Sequence, residues 1–203
     1  MLVEINADNP QDRLIQQMVD ILEDGGVIIY PTDTVYGIGC DITNKNAVER
    51  VARIRGLDPA KAMFSFICQD ISQVTDYSKT ISNDVFRVMK HNTPGPFTFI
   101  LKSNNKTPKI LKNRKETIGI RLIDNNIVDA LVRKLGRPIL TASVKSDDAV
   151  TEYYTDPSDI HDRYGKLVDA VIDGGPGGNE PSTVIICTGD QPEVYREGAG
   201  VLK

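Results

Sequence analysis

A mixed α/β fold is the architecture this sequence predicts. Stretches with apolar residues at helical spacing alternate with short β-branched runs, and glycine and proline clusters fall between them. The 203 residues contain no internal repeat, no low-complexity tract and no clear linker, so one domain spanning the chain is expected.

Asp8-Asn9-Pro10 marks a helix start, with proline near the first turn, where its missing N–H costs nothing. Leu14, Ile15, Met18, Ile21 and Leu22 follow on one helical face, and Gly25-Gly26 ends the helix. Val27 to Tyr30 is then a short buried strand. Asn46 to Ile54 forms a second helix with Ala47, Val48, Val51 and Ile54 inward. Met63 to Cys68 predicts a strand, Ser82 to Lys90 a helix and Phe97 to Leu101 a strand. The intervening Asn92-Thr93-Pro94-Gly95-Pro96 is a rigid turn that fits neither element. Strands at Thr117 to Arg121 and Ile139 to Ala142 flank a helix carrying Ile127, Leu131 and Leu135. Ala170 to Ile172 and Thr183 to Cys187 bracket the glycine-rich loop from Asp173 to Gly178.

A net charge of −4 and a pI near 5.2 count against a strongly basic nucleic-acid protein, although a local basic patch is compatible with both. Cys40, Cys68 and Cys187 lie far apart and are odd in number, which predicts free thiols in a reducing cytoplasm. His91 and His161 lack the spacing of a metal site. No apolar run approaches the ~18 residues of a membrane span, and the first residues lack the basic-then-apolar order of a secretory signal.

The most informative stretch runs from Val27 to Cys40. An apolar run ends in Pro31-Thr32-Asp33-Thr34, which cannot comfortably continue a strand. Thr32, Thr34, Tyr36 and Asp33 thus gather just beyond a strand's carboxyl end, where open α/β sheets hold ligands. Capping of backbone groups is the simpler role for the same side chains. The Gly174-Gly175-Pro176-Gly177-Gly178 loop is neither a P-loop nor a dinucleotide fingerprint, and a turn needing positive φ explains it equally well. Arg53, Arg55, Lys61, Arg121 and Arg196 are each what a solvated surface carries. Converging at one sheet edge, they would clamp phosphates and a carboxylate. Thr32 and Thr34, Thr141 and Ser143, and Ser182 and Thr183 are hydroxyl pairs suited to such ligands or to capping. Tyr153 and Tyr154 would serve as a base-stacking pair or as loop aromatics. No Gly-x-Ser-x-Gly elbow is present, and neither histidine has the setting of a catalytic base.

Several of these segments, in this order, resemble the YrdC/YciO family of threonylcarbamoyl-adenylate synthases and their relatives. They are the segment from Tyr30 to Asp41, Thr93 to Leu101, Thr117-Ile118-Gly119-Ile120-Arg121, Asp173-Gly174-Gly175, Pro181-Ser182-Thr183-Val184 and Tyr195-Arg196-Glu197-Gly198. The resemblance covers the chain from about Asp8 to Val201 and implies a YrdC-like twisted sheet with helices around a deep concave cavity. It implies formation of threonylcarbamoyl-AMP from ATP, L-threonine and bicarbonate with release of pyrophosphate, ATP entering as substrate, usually with Mg²⁺. That product supplies the threonylcarbamoyl group on adenosine 37 of tRNA. Matched position by position, Thr32, Arg121 and Ser182 are the implied threonine contacts. Arg55, Lys61, Thr117, Ser143, Thr151 and Arg196 are the implied nucleotide contacts, and Thr141 lies between the two sets.

Two positions depart from the synthase pattern. Its Lys-x-Arg is Arg55-Gly56-Leu57 here, which removes a bidentate phosphate donor. Its Ser-x-Asn is Ser143-Val144-Lys145, which exchanges a neutral amide for a cation. Both changes resemble the YciO branch. The expectation is a YciO-type nucleotide-binding protein with weak synthase activity. The alternative is a double-stranded RNA or tRNA binder that uses the same cavity without adenylation, and a hydrolase of an acyl- or carbamoyl-adenylate ranks third.

Overall fold

The computed structural model of the chain describes residues 1–58, 62, 64–111, 115–146 and 152–203. Ten strands join into one mixed sheet: β1 (Leu2–Glu4), β2 (Ile28–Tyr30), β3 (Gly37–Asp41), β4 (Ser65–Ile67), β5 (Phe97–Lys102), β6 (Thr117–Arg121), β7 (Ile139–Ser143), β8 (Ala170–Asp173), β9 (Thr183–Ile186) and β10 (Glu193–Arg196). Their spatial order is β1-β8-β2-β3-β7-β4-β6-β5-β9-β10. β1, β8 and β2 are mutually parallel, as are the pairs β4–β6 and β5–β9; the other neighbours are antiparallel.

Six α-helices cover the sheet: α1 (Asp12–Glu23), α2 (Lys45–Ile54), α3 (Ile71–Tyr77), α4 (Asn83–Asn92), α5 (Asn126–Leu135) and α6 (Pro157–Tyr164). Strand side chains alternate between faces, so each strand feeds two cores. Ile28 and Tyr30 join α1 and α5 on one face through Ile15, Met18, Leu22, Ile127 and Leu131. Ile29, Phe66, Phe99 and Ile120 point the other way, onto Val48 and Val51 of α2, Val85 and Met89 of α4, and Ile160 of α6. Burial of each such aliphatic side chain contributes about 1.5–3 kcal/mol.

Helices α1 and α5 cover only part of their face. Where β4, β5, β6, β7 and β9 continue beyond them, that face carries Ser65, Thr98, Ile100, Gly119, Arg121, Thr141, Ser143 and Val184 in place of core residues. The period of two therefore writes a hydrophobic core on one side of β5 and a polar concavity on the other.

The predicted strands and helices all recur with ends shifted by a few residues, as far as the residues are described, and the mixed α/β expectation is met. The largest boundary difference is at the first helix, which starts at Asp12, because Asn6 Oδ1 accepts the N–H groups of Asp8 (2.9 Å) and Asn9 (2.8 Å) and folds that segment into a turn. Gly25 ends this helix with φ of 83°. β1, β3, α3, α6 and β10 were not expected from the sequence. No helix among the described residues is long and apolar enough to cross a membrane.

Candidate functional site

The open half of the sheet face forms a cavity of about 370 Å³. Its walls include Val35 and Gly37 from the loop and strand after Tyr30, Ser65 of β4, Thr98 of β5, Arg121 of β6, Thr141 and Ser143 of β7, and Ser182 beside β9. Arg55 closes one side from the end of α2, while Arg196 of β10, Lys145, Glu152 and Tyr153 line the rest. Among the described residues its lining carries four cations and one carboxylate, an excess of positive charge.

Small residues thin the floor. A Cβ on Gly119 would stand 2.4 Å from Ser65 Oγ, and one on Gly37 would stand 3.0 Å from both Thr141 Oγ1 and the Tyr30 ring. Tyr30, fully buried, lies beneath this floor, and burial drives its phenol well above the ordinary range.

Arg121 is the deepest cation. Its Nη2 donates to Asp33 Oδ1 at 2.6 Å and to Thr34 Oγ1 at 2.9 Å, and both side chains of the ion pair are under a tenth exposed, at 8% and 7%. Asp33 Oδ2 accepts the N–H of Asp124 at 3.1 Å. Burial disfavours the charged forms of both partners, pushing Asp33 up and Arg121 down from their ordinary values, while each partner's charge pulls the other back. The Nε–H groups of Arg121 and Arg55 are buried without a hydrogen-bond partner. Native proteins leave such donors rarely.

The loop between β2 and β3 is braced rather than free. Thr32 Oγ1 donates to Val35 O at 2.7 Å and accepts the Thr34 N–H at 3.0 Å. Thr34 O accepts the Gly178 N–H at 2.8 Å, and Tyr36 Oη donates to Gly175 O at 2.7 Å. The glycine-rich loop thus clamps the threonine-rich loop; only Gly175 in it takes positive φ, at 92°. Across the cavity Ser182 Oγ lies 2.8 Å from Thr98 Oγ1, and Arg196 Nη2 donates to Ser182 O at 2.7 Å.

Of the ten site residues expected from sequence, six line this cavity: Arg55, Arg121, Thr141, Ser143, Ser182 and Arg196. Thr32 is outside the lining, its Oγ1 3.0 Å from the Oγ1 of Thr34, which accepts from Arg121. Thr117 is buried at the opposite end of β6, facing Lys102 and outside the lining. Lys61 and Thr151 lie outside the described residues. Sequence reasoning missed Ser65, Thr98 and Glu152. The alternation Phe97-Thr98-Phe99 was the signal for Thr98; nothing local marks the other two. Leu57, one of the departures, is 41% exposed and is not among the lining residues. Lys145, the other, does line the cavity but is held by Glu152 at 2.8 Å, with its Nζ 5.8 Å from the Tyr153 ring centre.

A mixed α/β sheet with a polar concavity lined by arginines, a lysine and hydroxyl side chains is the class of protein this chain presents. The family model described as telomere recombination, Sua5/YciO/YrdC, matches residues 20–198, and the chain belongs to that family. It is 47% identical over 201 residues to YciO of Escherichia coli K12, spanning 98% of this chain and 96% of that protein. The crystal structure of E. coli YciO superposes with a TM-score of 0.92 at 45% identity, covering 99% and 97% of the two chains. The threonylcarbamoyl-AMP synthase of Bacillus subtilis is 31% identical over 207 residues, covering 98% of this chain but 56% of that enzyme. Pyrococcus abyssi Sua5 complexed with L-threonine shares the fold, with a TM-score of 0.87 at 23% identity over 98% of this chain and 57% of that one.

Proposed function

We propose that the cavity binds ATP and L-threonine and, with bicarbonate, forms L-threonylcarbamoyl-AMP and pyrophosphate, at a rate limited by the altered phosphate wall. The observation that carries this reading is the convergence of Arg121 and the hydroxyls of Thr141 and Ser182 in one cation-lined concavity. Arg121 would attract the amino acid's carboxylate by its charge. Thr141 and Ser182 offer hydroxyls to its polar groups, while Arg55, Arg196 and Lys145 face the phosphates.

The amine of threonine adds to the carbon of bicarbonate with loss of water, giving a carbamate. A carbamate oxygen then attacks the α-phosphorus as the bond to pyrophosphate breaks, so the protein's task is alignment and charge neutralisation. Magnesium would enter with the nucleotide and neutralise charge on its phosphates: among the described residues the lining offers one carboxylate, Glu152, and that is already engaged by Lys145. The volume lies within the range of small-molecule sites.

Pyrophosphate release, measured while omitting each substrate in turn, tests the reading. Release is expected only when ATP, L-threonine and bicarbonate are all present, and Arg121→Ala lowers it at least about a hundredfold, the scale of losing a transition-state or positioning contact. Release no greater than in Arg121→Ala refutes it.

A further inference from the structure

We infer that Thr183 is a positioning residue for Arg196: its buried hydroxyl straps the backbone that follows Arg196 to the start of β9, and so fixes where the guanidinium stands at the cavity wall. The inference rests on the reading that Arg196 faces the nucleotide's phosphates.

β10 by itself holds Arg196 loosely. It is the last strand of the sheet and pairs on one side only, with β9. Its register with β9 shifts between Val194 and Arg196, and all four of its residues are exposed. Neither a second neighbouring strand nor core packing therefore sets the direction in which Arg196 leaves the sheet. Yet Arg196 lines the cavity, its Nη2 donating to Ser182 O at 2.7 Å.

The restraint comes from the residue after Ser182. Thr183 Oγ1 donates to Gly200 O at 2.6 Å and accepts the N–H groups of Gly198 at 3.0 Å and Gly200 at 3.1 Å. One donor hydrogen and two lone pairs are a hydroxyl's whole capacity, and all of it goes to this segment. The Ala199 N–H adds a bond to Pro181 O at 2.9 Å. Glycine lets the chain come this close, since a Cβ on Gly198 would stand 2.2 Å from Pro181 O. The anchor is itself rigid: Thr183 is 2% exposed, its N–H is taken by Pro96 O at 3.0 Å, and β9 runs parallel beside β5. Ser182 O thus holds the head of Arg196, and Thr183 Oγ1 holds its backbone two residues on. Thr183 is outside the cavity lining, so it acts on a ligand through Arg196 rather than by contact.

Thr183→Val tests this in the full chain, keeping the shape and removing the hydroxyl. Calorimetric titration is expected to show ATP bound at least about fivefold more weakly, the scale of a displaced charge-assisted contact. Thr183→Ser, which keeps the hydroxyl, stays within about twofold of the wild type. In an Arg196→Ala background Thr183→Val changes ATP affinity by less than about twofold, because the group it positions is gone. ATP affinity unchanged by Thr183→Val overturns the inference. So does the same loss in the Arg196→Ala background, or a serine variant as weak as the valine one; either would make Thr183 a packing residue. If the wild-type protein binds no ATP, the proposed function fails instead, and NMR of the unliganded chain decides the inference. Faster amide exchange at Gly198 and Gly200 together with a shifted Arg196 Nε–H resonance in Thr183→Val supports it, and an unshifted Arg196 resonance overturns it. Should Thr183→Val not fold, Gly198→Ala forces the strap away from Pro181 with the hydroxyl kept, and the ATP titration in both backgrounds and the Arg196 resonance apply in the same way.

Discussion

At the scale of single residues, the chain keeps the cations of its cavity under different degrees of restraint. Arg121 is locked by a buried partner 88 residues away, whereas Lys145 is held by a solvent-accessible one seven residues away. Coulomb attraction between exposed groups is weak and screened, so the Lys145–Glu152 pair exchanges easily for a phosphate. Glu152→Gln is expected to tighten ATP binding by up to about fivefold at low salt, and Lys145→Ala to weaken it comparably. Titrations at low and high ionic strength check this; a change that persists undiminished in high salt contradicts it. The sequence displayed Arg121 at a strand end, and Asp33 in a conspicuous cluster, yet it could not display the bond between them. Pairing over that distance is a property of the sheet order, which no local pattern encodes. Ser65 and Glu152 were illegible for the same reason.

Among the elements, β3 is the most instructive. Gly37 and Gly39 lower strand propensity, so the segment looks like a loop. In the structure those glycines are what permits the strand: a Cβ on Gly39 would stand 2.0 Å from Leu140 O and 2.6 Å from Tyr30 Oη. Because the obstacle is the backbone of β7, it cannot swing aside. Gly39→Ala is expected to cost about 1–3 kcal/mol, read as a lower urea midpoint with an unchanged slope. A midpoint equal to that of the wild type would mean that β3 and β7 separate at little cost. Elements with strong periodicity and capping, such as α1, α2 and α5, were legible before the structure. The short β1 and β10 were not, because each is completed by a neighbour distant in sequence: β1 by β8, β10 by a β9 that itself needs β5.

For the whole molecule, the density of buried protic groups sets a response to alkali. Burial pushes the thiols of Cys40 and Cys68 above their ordinary range, and those of Cys187 and the Tyr36 phenol to about 12. The folded chain therefore keeps protons that the unfolded chain releases. This contribution to stability is full below the ordinary thiol value of about 8.5 and is lost as pH rises above it, by up to about 1.4 kcal/mol per unit for each group. Urea unfolding between about pH 7 and pH 10 should show that decline, and Cys68→Ala should make it shallower. A flat profile would show that the thiols ionise freely in the fold. The concave half of the sheet, too, exists only at this scale. Its walls pair β5 with β9 and β3 with β7, segments separated by about half the chain. No fragment of the chain can hold two facing walls. During folding the polar face of β5 must wait, unpaired with any ligand, until β9 arrives beside it, and loop closure over such spans is slow. Recognition is consequently all or none: the cavity appears with the finished sheet, and a partly folded chain offers its ligands nothing to grip.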